Sequence, residues 1–179
     1  MLKKINNKIY TKIGILGGTF DPPHKGHLQI SKVAIKKLKL NNLIWVITKR
    51  NPLKEKPHLS INKRIKLSKK IIDNKKIIVA FLDKKIKSNK TFDLLTYIKK
   101  KHKKAQLYFL MGADNLVSFH KWKYWEKITQ LTKIVIYPRQ NYSLKSLKKI
   151  VLMKLNKKDL IYLKSKKINI SSSIIRKFW

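Results

Sequence analysis

The sequence predicts an α/β fold, a parallel sheet with helices on both faces in a single domain. Short apolar runs rich in β-branched and aromatic residues recur along the chain, and amphipathic stretches of helical period separate them. Apolar runs of strand length that alternate with helices are typical of βαβ units, whose strands are parallel. The predicted strands are Lys12–Leu16 (KIGIL), Leu43–Thr48 (LIWVIT), Ile77–Phe81 (IIVAF), Gln106–Met111 (QLYFLM), Lys133–Tyr137 (KIVIY) and Leu160–Leu163 (LIYL).

Helical patterns occupy the segments between these strands. Ser60 stands at the start of the second helix and Thr91 opens the third, and both residue types cap helix N-termini. Ligands of parallel sheets bind outside the carboxyl ends of the strands, so the loops that follow the strands are the place to seek a site. The predicted helices are His27–Leu38, Ser60–Ile72, Thr91–Lys101, a short piece near Trp122–Ile128, and Leu144–Leu155.

Composition indicates an ordinary globular domain. The chain has 179 residues, of which 43% are apolar, and it contains no cysteine, which excludes disulfides and thiolate metal sites. The first residues, MLKKINNKIYTK, have no apolar core of signal-peptide length, and no run approaches the roughly 20 apolar residues of a membrane span. We therefore expect a cytoplasmic protein with no membrane partner, in which residues 1–12 are an extension and residues 13–179 the domain.

The net charge of +37 raises the question of nucleic-acid binding, because clustered Lys and Arg would release counterions from a phosphate backbone. The lysines are dispersed through nearly every segment, however, and arginine, the better reader of bases, is scarce. This pattern favours solvated faces in a lysine-biased chain over a specific nucleic-acid partner. The arginines are Arg50, Arg64, Arg139 and Arg176.

The stretch GGTFDPPHKGH directly follows the first predicted strand. Gly17 and Gly18 permit a positive φ and let another group approach the backbone closely. Two prolines stiffen the return path, and the helix that begins near His27 offers unpaired amides and a favourable dipole to an anion. His24 and His27 lie three positions apart, on one side of that helix entrance. The combination predicts a loop that binds polyphosphate.

Other interpretations of this loop are weaker. It contains neither the P-loop pattern G-x-x-x-x-G-K-[ST] nor the dinucleotide pattern G-x-G-x-x-G. A metal site at His24 and His27 would have only Asp21 nearby in sequence and no evident third ligand, so we expect no metal held by the protein. A purely structural turn stays open on the loop alone.

GGTFDPPHKGH resembles the signature of the nucleotidyltransferases that carry an H-x-G-H motif, here His24 to His27, and more narrowly that of bacterial nicotinate-nucleotide adenylyltransferases. The resemblance implies a Rossmann-like fold and the transfer of AMP from ATP to nicotinate mononucleotide, which gives deamido-NAD and pyrophosphate. It also implies that His24 and His27 contact the ATP phosphates. By the same likeness, the nucleotide would be lined by Gly17, Gly18, Thr19 and Phe20.

The segment YFLMGADNLVSFHKWKYWEKI resembles a second region of the same family. The likeness implies that Gly112 and Asp114 border the adenosine and that Trp122 stacks on the nicotinate ring. The alternative is core packing, which is the ordinary role of such aromatic residues. The residue after this tryptophan is often Tyr in the family but is Lys123 here. A lysine could attract the nicotinate carboxylate, although the family tends to read that group through backbone amides.

The end of the chain, INISSSIIRKFW, resembles the family's ISSSxIR motif. Taken alone it is an ordinary helix cap, but the likeness implies that Ser171, Ser172 and Arg176 bind the ATP phosphates. Two weaker matches are NPLKEK, where Lys54 would lie near phosphate, and SNKTFDLL, where Thr91 would open a helix whose amides recognise the nicotinate side. As alternatives, Asn-Pro is a common turn and Thr a common N-cap.

AMP transfer needs positioning and charge neutralisation more than a protein nucleophile. We expect Mg²⁺ to arrive with ATP, because the chain has only eight acidic residues with which to cage a metal. The partners expected are thus ATP and nicotinate mononucleotide, and a homo-oligomer stays open. The alternatives are an adenylyltransferase for nicotinamide mononucleotide or phosphopantetheine and, more remotely, a basic nucleic-acid-binding protein on the same scaffold.

Overall fold

A six-stranded parallel sheet in the order β3-β2-β1-β4-β5-β6 forms the centre of the structure, a computed structural model that describes residues 11–50, 55–138, 159–163 and 171–178. The order places β1 and β4 side by side, with the chain running outward from them in opposite directions. The predicted parallel α/β fold is confirmed. The strands are β1 Lys12–Gly18, β2 Asn42–Ile47, β3 Ile77–Ala80, β4 Gln106–Gly112, β5 Lys133–Tyr137 and β6 Leu160–Tyr162.

Helices connect the strands and cover both faces of the sheet. The predicted helix Leu144–Leu155 lies outside the described residues. The short piece predicted near Trp122 begins later, at Trp125, and a 3-10 turn at Phe119–Lys121 precedes it. The helices are α1 Lys25–Leu38, α2 Ile61–Ile71, α3 Asp83–Ile86, α4 Thr91–Lys101, α5 Ala113–Val117, α6 Trp125–Leu131 and α7 Ser172–Arg176.

Successive side chains of each strand point to opposite faces of the sheet, so the apolar residues form two separate cores, one on each face. In β1, Ile13 and Ile15 join the core that α4, α5 and α6 cover, whereas Leu16 joins the core that α1 and α2 cover. Trp45 of β2 is fully buried in the second core, where its indole Nε1 donates a 2.8 Å hydrogen bond to Ser31 Oγ of α1. Both faces of the sheet are therefore sealed, and its carboxyl edge is left to bind ligands.

The predicted N-cap at Ser60 is confirmed, because its side chain accepts a hydrogen bond from the Lys63 amide. The one at Thr91 is wrong: Thr91 is the first helical residue, and Lys90 occupies the cap position without a side-chain bond. Ser88 ties the entry to α4 instead, since its hydroxyl accepts from the Lys90 amide and donates to Asp93.

Within the described ranges, no helix combines the length and the apolar character needed to cross a bilayer.

Gly14 allows the chain after α1 to lie close to β1. A Cβ atom built on Gly14 would lie 2.6 Å from Leu40 Cδ1 and 3.1 Å from Leu43 Cγ, and both leucines are buried. Carbon atoms do not approach to 2.6 Å without a shift of the surrounding core, so any larger residue at this position forces overpacking.

We predict that Gly14→Ala lowers the free energy of unfolding by about 1–3 kcal/mol, because the added methyl group overpacks this core. Urea denaturation measures the loss. Gly17→Ala is the matched control in the same strand, since its Cβ would meet only the Phe109 ring, at 3.6 Å. Equal stability of the two variants would contradict the role assigned to Gly14.

Candidate active site

The carboxyl ends of β1 and β4 meet at the centre of the sheet, where the strand order reverses direction. Such a reversal opens a crevice at the sheet edge, and ligands of open α/β sheets bind there. The loop from Thr19 to His24 leaves β1 at this point and leads into α1. The sequence motif with the two histidines thus stands at the position where this class of sheet binds nucleotides.

His24 and His27 form a reciprocal cap at the start of α1. His24 Nδ1 accepts from the Gly26 amide at 3.1 Å, and His27 Nδ1 accepts from the His24 amide at 3.2 Å. A ring nitrogen that accepts a hydrogen bond carries no proton, so the proton of each neutral imidazole lies on Nε2. The local backbone thereby makes both Nε2 atoms hydrogen-bond donors, which suits an anionic ligand.

Aromatic packing holds the two imidazoles against the protein. Their ring centroids lie 3.8 Å apart, and the His27 ring lies 4.7 Å from that of Phe20. Phe20 in turn stacks on Trp45 at 5.0 Å. The Phe20 side chain is only 2% exposed, so its ring packs against His27 inside the protein and does not face the cleft.

Asp21 connects the loop from Thr19 to His24, called the histidine loop below, to two other parts of the chain. Its buried carboxylate accepts from the backbone amides of His58 and Leu59, at 2.7 Å and 2.9 Å. Its backbone carbonyl accepts from Arg176 Nη1 at 2.6 Å, and Ser172 Oγ donates to the neighbouring Pro22 carbonyl at 2.8 Å. The two sequence motifs at opposite ends of the chain are therefore joined directly.

Arg64, a residue of α2, connects the loops that follow β1 and β2. Its Nη1 donates to the carbonyls of Thr19 and Thr48, at 2.7 Å and 2.8 Å, its Nη2 to Lys49, and its Nε to Leu59. The side chain is buried, and this burial lowers the pKa of the guanidinium, although Asp21 and Asp83 oppose the shift. The guanidinium keeps its charge in this buried place because carbonyl oxygens accept hydrogen bonds from its N–H groups.

A cavity of about 340 Å³ opens beside the histidine loop. The two glycines at the end of β1 form one wall, and the first turn of α4 and the segment after α5 form the others. Four of the predicted site residues line it together: Gly17, Gly18, Thr91 and Trp122. The remaining lining residues are Val46, Thr48, Arg50, Asp83, Ile86, Asn89, Lys90, Leu94, Phe109, Lys121 and Lys123.

Trp122 is half-buried in the wall of this cavity. Its ring meets those of Phe109 and Phe119 edge-on, at 6.2 Å and 5.5 Å between centroids. Its indole Nε1 is buried and has no hydrogen-bond partner within the described part of the chain. Trp122 thus combines the core packing expected of an aromatic with a place in the cavity wall.

The structure separates the predicted site residues into groups. His24 and His27 lie together at the start of α1, and Ser172 and Arg176 lie against the histidine loop. Ser171 is the N-cap of α7, where its side chain accepts from the Ile174 amide. Gly112 ends β4, and the half-buried Asp114 lies in α5, which follows it. Lys54 lies outside the described residues.

The expected use of Gly17 and Gly18 is wrong in one respect. Neither has a positive φ; among the loop residues it is Phe20 that adopts one, at 51°. A Cβ on Gly17 or Gly18 would make only ordinary contacts, at 3.6 Å and 3.5 Å. Their value is the space that they leave in the wall of the cavity.

Sequence reasoning missed the roles of Arg64 and Asp21. Apart from the Arg64 bond to Leu59, their bonds reach backbone groups 15 to 155 positions away in sequence, which no local pattern records. A signal was present for both: Arg64 is one of four arginines in a chain of lysines, and Asp21 is one of only eight acidic residues. Among the described residues, no group of three or more His, Asp or Glu side chains is arranged to hold a metal ion.

Comparison with known proteins identifies the family. The cytidylyltransferase-like family matches residues 15–178. A probable nicotinate-nucleotide adenylyltransferase of Pelagibacter ubique (strain HTCC1062) is 51% identical over 99% of this chain and 99% of its own length. The chain belongs to the nicotinate-nucleotide adenylyltransferase family. A probable member from Ruegeria sp. (strain TM1040) is 39% identical over 71% of this chain and 67% of its own.

Solved structures show the same fold. The nicotinic acid mononucleotide adenylyltransferase of Plasmodium falciparum, in complex with NaAD, superposes with a TM-score of 0.76 at 24% identity, over 94% of this chain and 83% of its own. A putative nicotinate-nucleotide adenylyltransferase from Vibrio parahaemolyticus gives a TM-score of 0.63 at 23% identity, over 93% and 85%. The Rossmann-like fold and the enzyme class indicated by the motifs are confirmed.

We predict that Arg64→Met lowers the free energy of unfolding by about 2–4 kcal/mol, because it removes a buried guanidinium that donates to four part-buried backbone carbonyls. Chemical denaturation measures the loss. Lys63→Met, one position earlier on the exposed side of α2, is the matched control and should change stability by less than about 0.5 kcal/mol. A similar small effect at both positions would show that the Arg64 bonds contribute little.

Proposed function

We propose that the cleft transfers AMP from ATP to nicotinate mononucleotide through the roles given below. A phosphate oxygen of the mononucleotide attacks the α-phosphorus of ATP, the bond from that phosphorus to the bridging oxygen breaks, and pyrophosphate leaves. Deamido-NAD is the other product. The observation that carries the proposal is the pair of capped histidines at the start of α1, in the loop that follows the two glycines lining the 340 Å³ cavity.

His24 and His27 stabilise charge on the ATP phosphates. Each Nδ1 is used by the backbone, so each ring offers its Nε2 proton as a donor. Packing between the rings and against Phe20 fixes their orientation before the substrate arrives. Donors that are already oriented need no reorganisation as charge develops in the transition state, which is the main source of catalysis in phosphoryl-type transfer.

The cavity receives the nicotinate half of the acceptor. The apolar wall suits a flat heteroaromatic ring, on which Trp122 stacks. The start of α4, at Thr91, presents the amide end of an eleven-residue helix to the negatively charged part of the same substrate. ATP lies on the other side of Gly17 and Gly18, with Thr19, the backbone of Phe20, Gly112 and Asp114 around the nucleotide.

Arg176, with Ser171 and Ser172, contributes to binding of the pyrophosphate portion. In the described contacts, Arg176 donates to the Asp21 carbonyl, and its Nη2 lies 3.3 Å from Ser173 Oγ. Arg176 thereby positions the histidine loop as well, and a guanidinium that has several donors can serve both partners. Lys54 completes the expected set near phosphate.

Mg²⁺ enters with ATP as part of the substrate, where it neutralises phosphate charge and retains water ligands. The reaction takes place in the cytoplasm, and residues 13–179 form the catalytic domain after the extension of residues 1–12. A homo-oligomer is compatible with these roles, and no specific nucleic acid is needed for them. The second candidate, the same transfer to nicotinamide mononucleotide, rests on the apolar wall of the cavity, which suits either pyridine ring.

We predict that the purified protein with MgATP releases pyrophosphate in the presence of nicotinate mononucleotide, and much more slowly with nicotinamide mononucleotide. A coupled assay of pyrophosphate, run with the two acceptors in parallel, measures both rates. Preference for the amide would overturn the choice of substrate but keep the reaction. A folded protein that releases no pyrophosphate with either acceptor would overturn the proposed function itself.

We predict that His27→Ala lowers kcat by about 10²–10³-fold and changes KM for nicotinate mononucleotide far less, because the lost donor acts on developing phosphate charge. His27→Asn is the informative companion variant. Its amide oxygen can replace Nδ1 as acceptor of the His24 amide, but it has no group at the position of Nε2. Equal losses in kcat and in binding, or full activity of His27→Asn, would contradict the role.

A further inference from the structure

A second cavity, of about 380 Å³, lies at the amino edge of the sheet, the edge opposite the histidine loop. The end of α4, the turn that follows it and the residues just before β1 and β4 surround this cavity. The two cavities thus contact opposite ends of α4, whose 11 residues place those ends about 15 Å apart. Four of the residues that line the second cavity are lysines: Lys100, Lys101, Lys103 and Lys104.

The charge around this cavity is positive. None of its described lining residues is acidic, and within the described part of the chain no ion pair involves one of the four lysines. His102, in the same lining, responds to this field: burial lowers the pKa of its imidazole, and the charge of Lys101 lowers it further. The cavity therefore holds a concentration of positive charge that attracts anions.

The dipole of α4 explains only part of this cluster. Cations are favourable in the last turn of a helix, where Lys100 and Lys101 lie, but the effect falls off within that turn. Lys103 and Lys104 lie beyond the end of the helix, in the turn that leads to β4. They line the same cavity as the helical pair, and the helix dipole does not require this arrangement.

Hydrogen bonds fix the backbone that carries these lysines. Lys99 Nζ donates to the Ala105 carbonyl at 2.6 Å, and the Ala105 amide donates to the His102 carbonyl at 2.9 Å. The Gln106 amide donates to the Thr11 carbonyl at 2.9 Å, which joins the end of the turn to the start of β1. A ligand that binds here meets a backbone that is already ordered, so less conformational entropy is lost on binding.

We propose that this cavity is a second anion site, which binds a short inorganic oligophosphate. Lysine ammonium groups bind phosphate as point charges, and four of them around one cavity favour an anion that carries several charges. A nucleic acid is the less suitable ligand, because single strands stack on aromatic rings and base edges are read best by arginine. No Phe, Tyr, Trp or Arg is among the described lining residues. The inference goes beyond the proposed function and does not depend on it.

Titration of the full chain with inorganic tripolyphosphate at low ionic strength, followed by NMR of the backbone amides, tests the proposal. We predict saturable shifts of the Lys103 and Lys104 amides, which report on this cavity and not on the active site. Lys100→Gln/Lys101→Gln keeps these reporters and removes two lining charges. It should raise the Kd obtained from their shifts by about 5- to 10-fold, the scale of two partly exposed ion pairs.

Lys69→Gln/Lys70→Gln is the matched control. These two lysines are exposed in the last turn of α2, which also has 11 residues, and they line neither cavity. Both double variants lose two positive charges from a chain of net charge +37. General attraction of anions would therefore weaken equally in the two variants, whereas a site at the end of α4 predicts a change of less than about 2-fold in the control.

The outcomes are separable. Shifts at the turn that do not saturate, or an equal rise of Kd in both variants, would overturn the proposal in favour of diffuse attraction. Tighter binding of a single-stranded oligonucleotide than of tripolyphosphate at the same amides would overturn it in favour of a nucleic-acid surface. A folded protein that binds tripolyphosphate at the turn but releases no pyrophosphate from MgATP would support this inference and overturn the proposed function alone.

Discussion

The active-site edge of this protein depends on one buried cation. Loops at the carboxyl edge of a parallel sheet end in carbonyl groups that the sheet no longer satisfies, and a buried carbonyl needs a donor. Arg64 reaches the loops after β1 and β2 from a single helix and donates to the backbone carbonyls of Thr19, Thr48, Lys49 and Leu59. A lysine has one donor centre and could not span these positions, so the planar guanidinium is what the geometry requires.

Asp21 completes this arrangement from the opposite side with a buried anion. Its carboxylate binds backbone amides near Leu59, while its carbonyl binds Arg176. The two charges thus meet at the same short segment before α2, and both act on backbone groups. This matters for function because the histidine loop, the glycines at the end of β1 and the C-terminal helix are each short. Held together, they present their hydrogen-bond donors in one fixed geometry, which is the condition for electrostatic catalysis.

Local patterns predicted most of the fold and, at the candidate site, the histidine pair at the start of α1. Apolar periodicity located the six strands because most of their residues are buried, and the pattern of a buried strand is continuous along the sequence. The histidine pair was predictable because its cap bonds join residues only two or three positions apart. Arg64 and Asp21 were not, since their bonds span 5 to 155 positions. The start of α4 was misjudged for a different reason: Ser88 and Thr91 are both residue types that cap helices, and the hydrogen bonds at this helix start are made by Ser88, with the Lys90 amide and Asp93.

The high charge of the chain sets a limit on how selectivity can arise. A net charge of +37 attracts ATP, the mononucleotide and pyrophosphate alike, and salt screens that attraction beyond about 10 Å. A diffuse field of this kind raises encounter rates for every anion and separates none of them. Selection between an acid and an amide must therefore come from groups whose distance to one substituent is fixed.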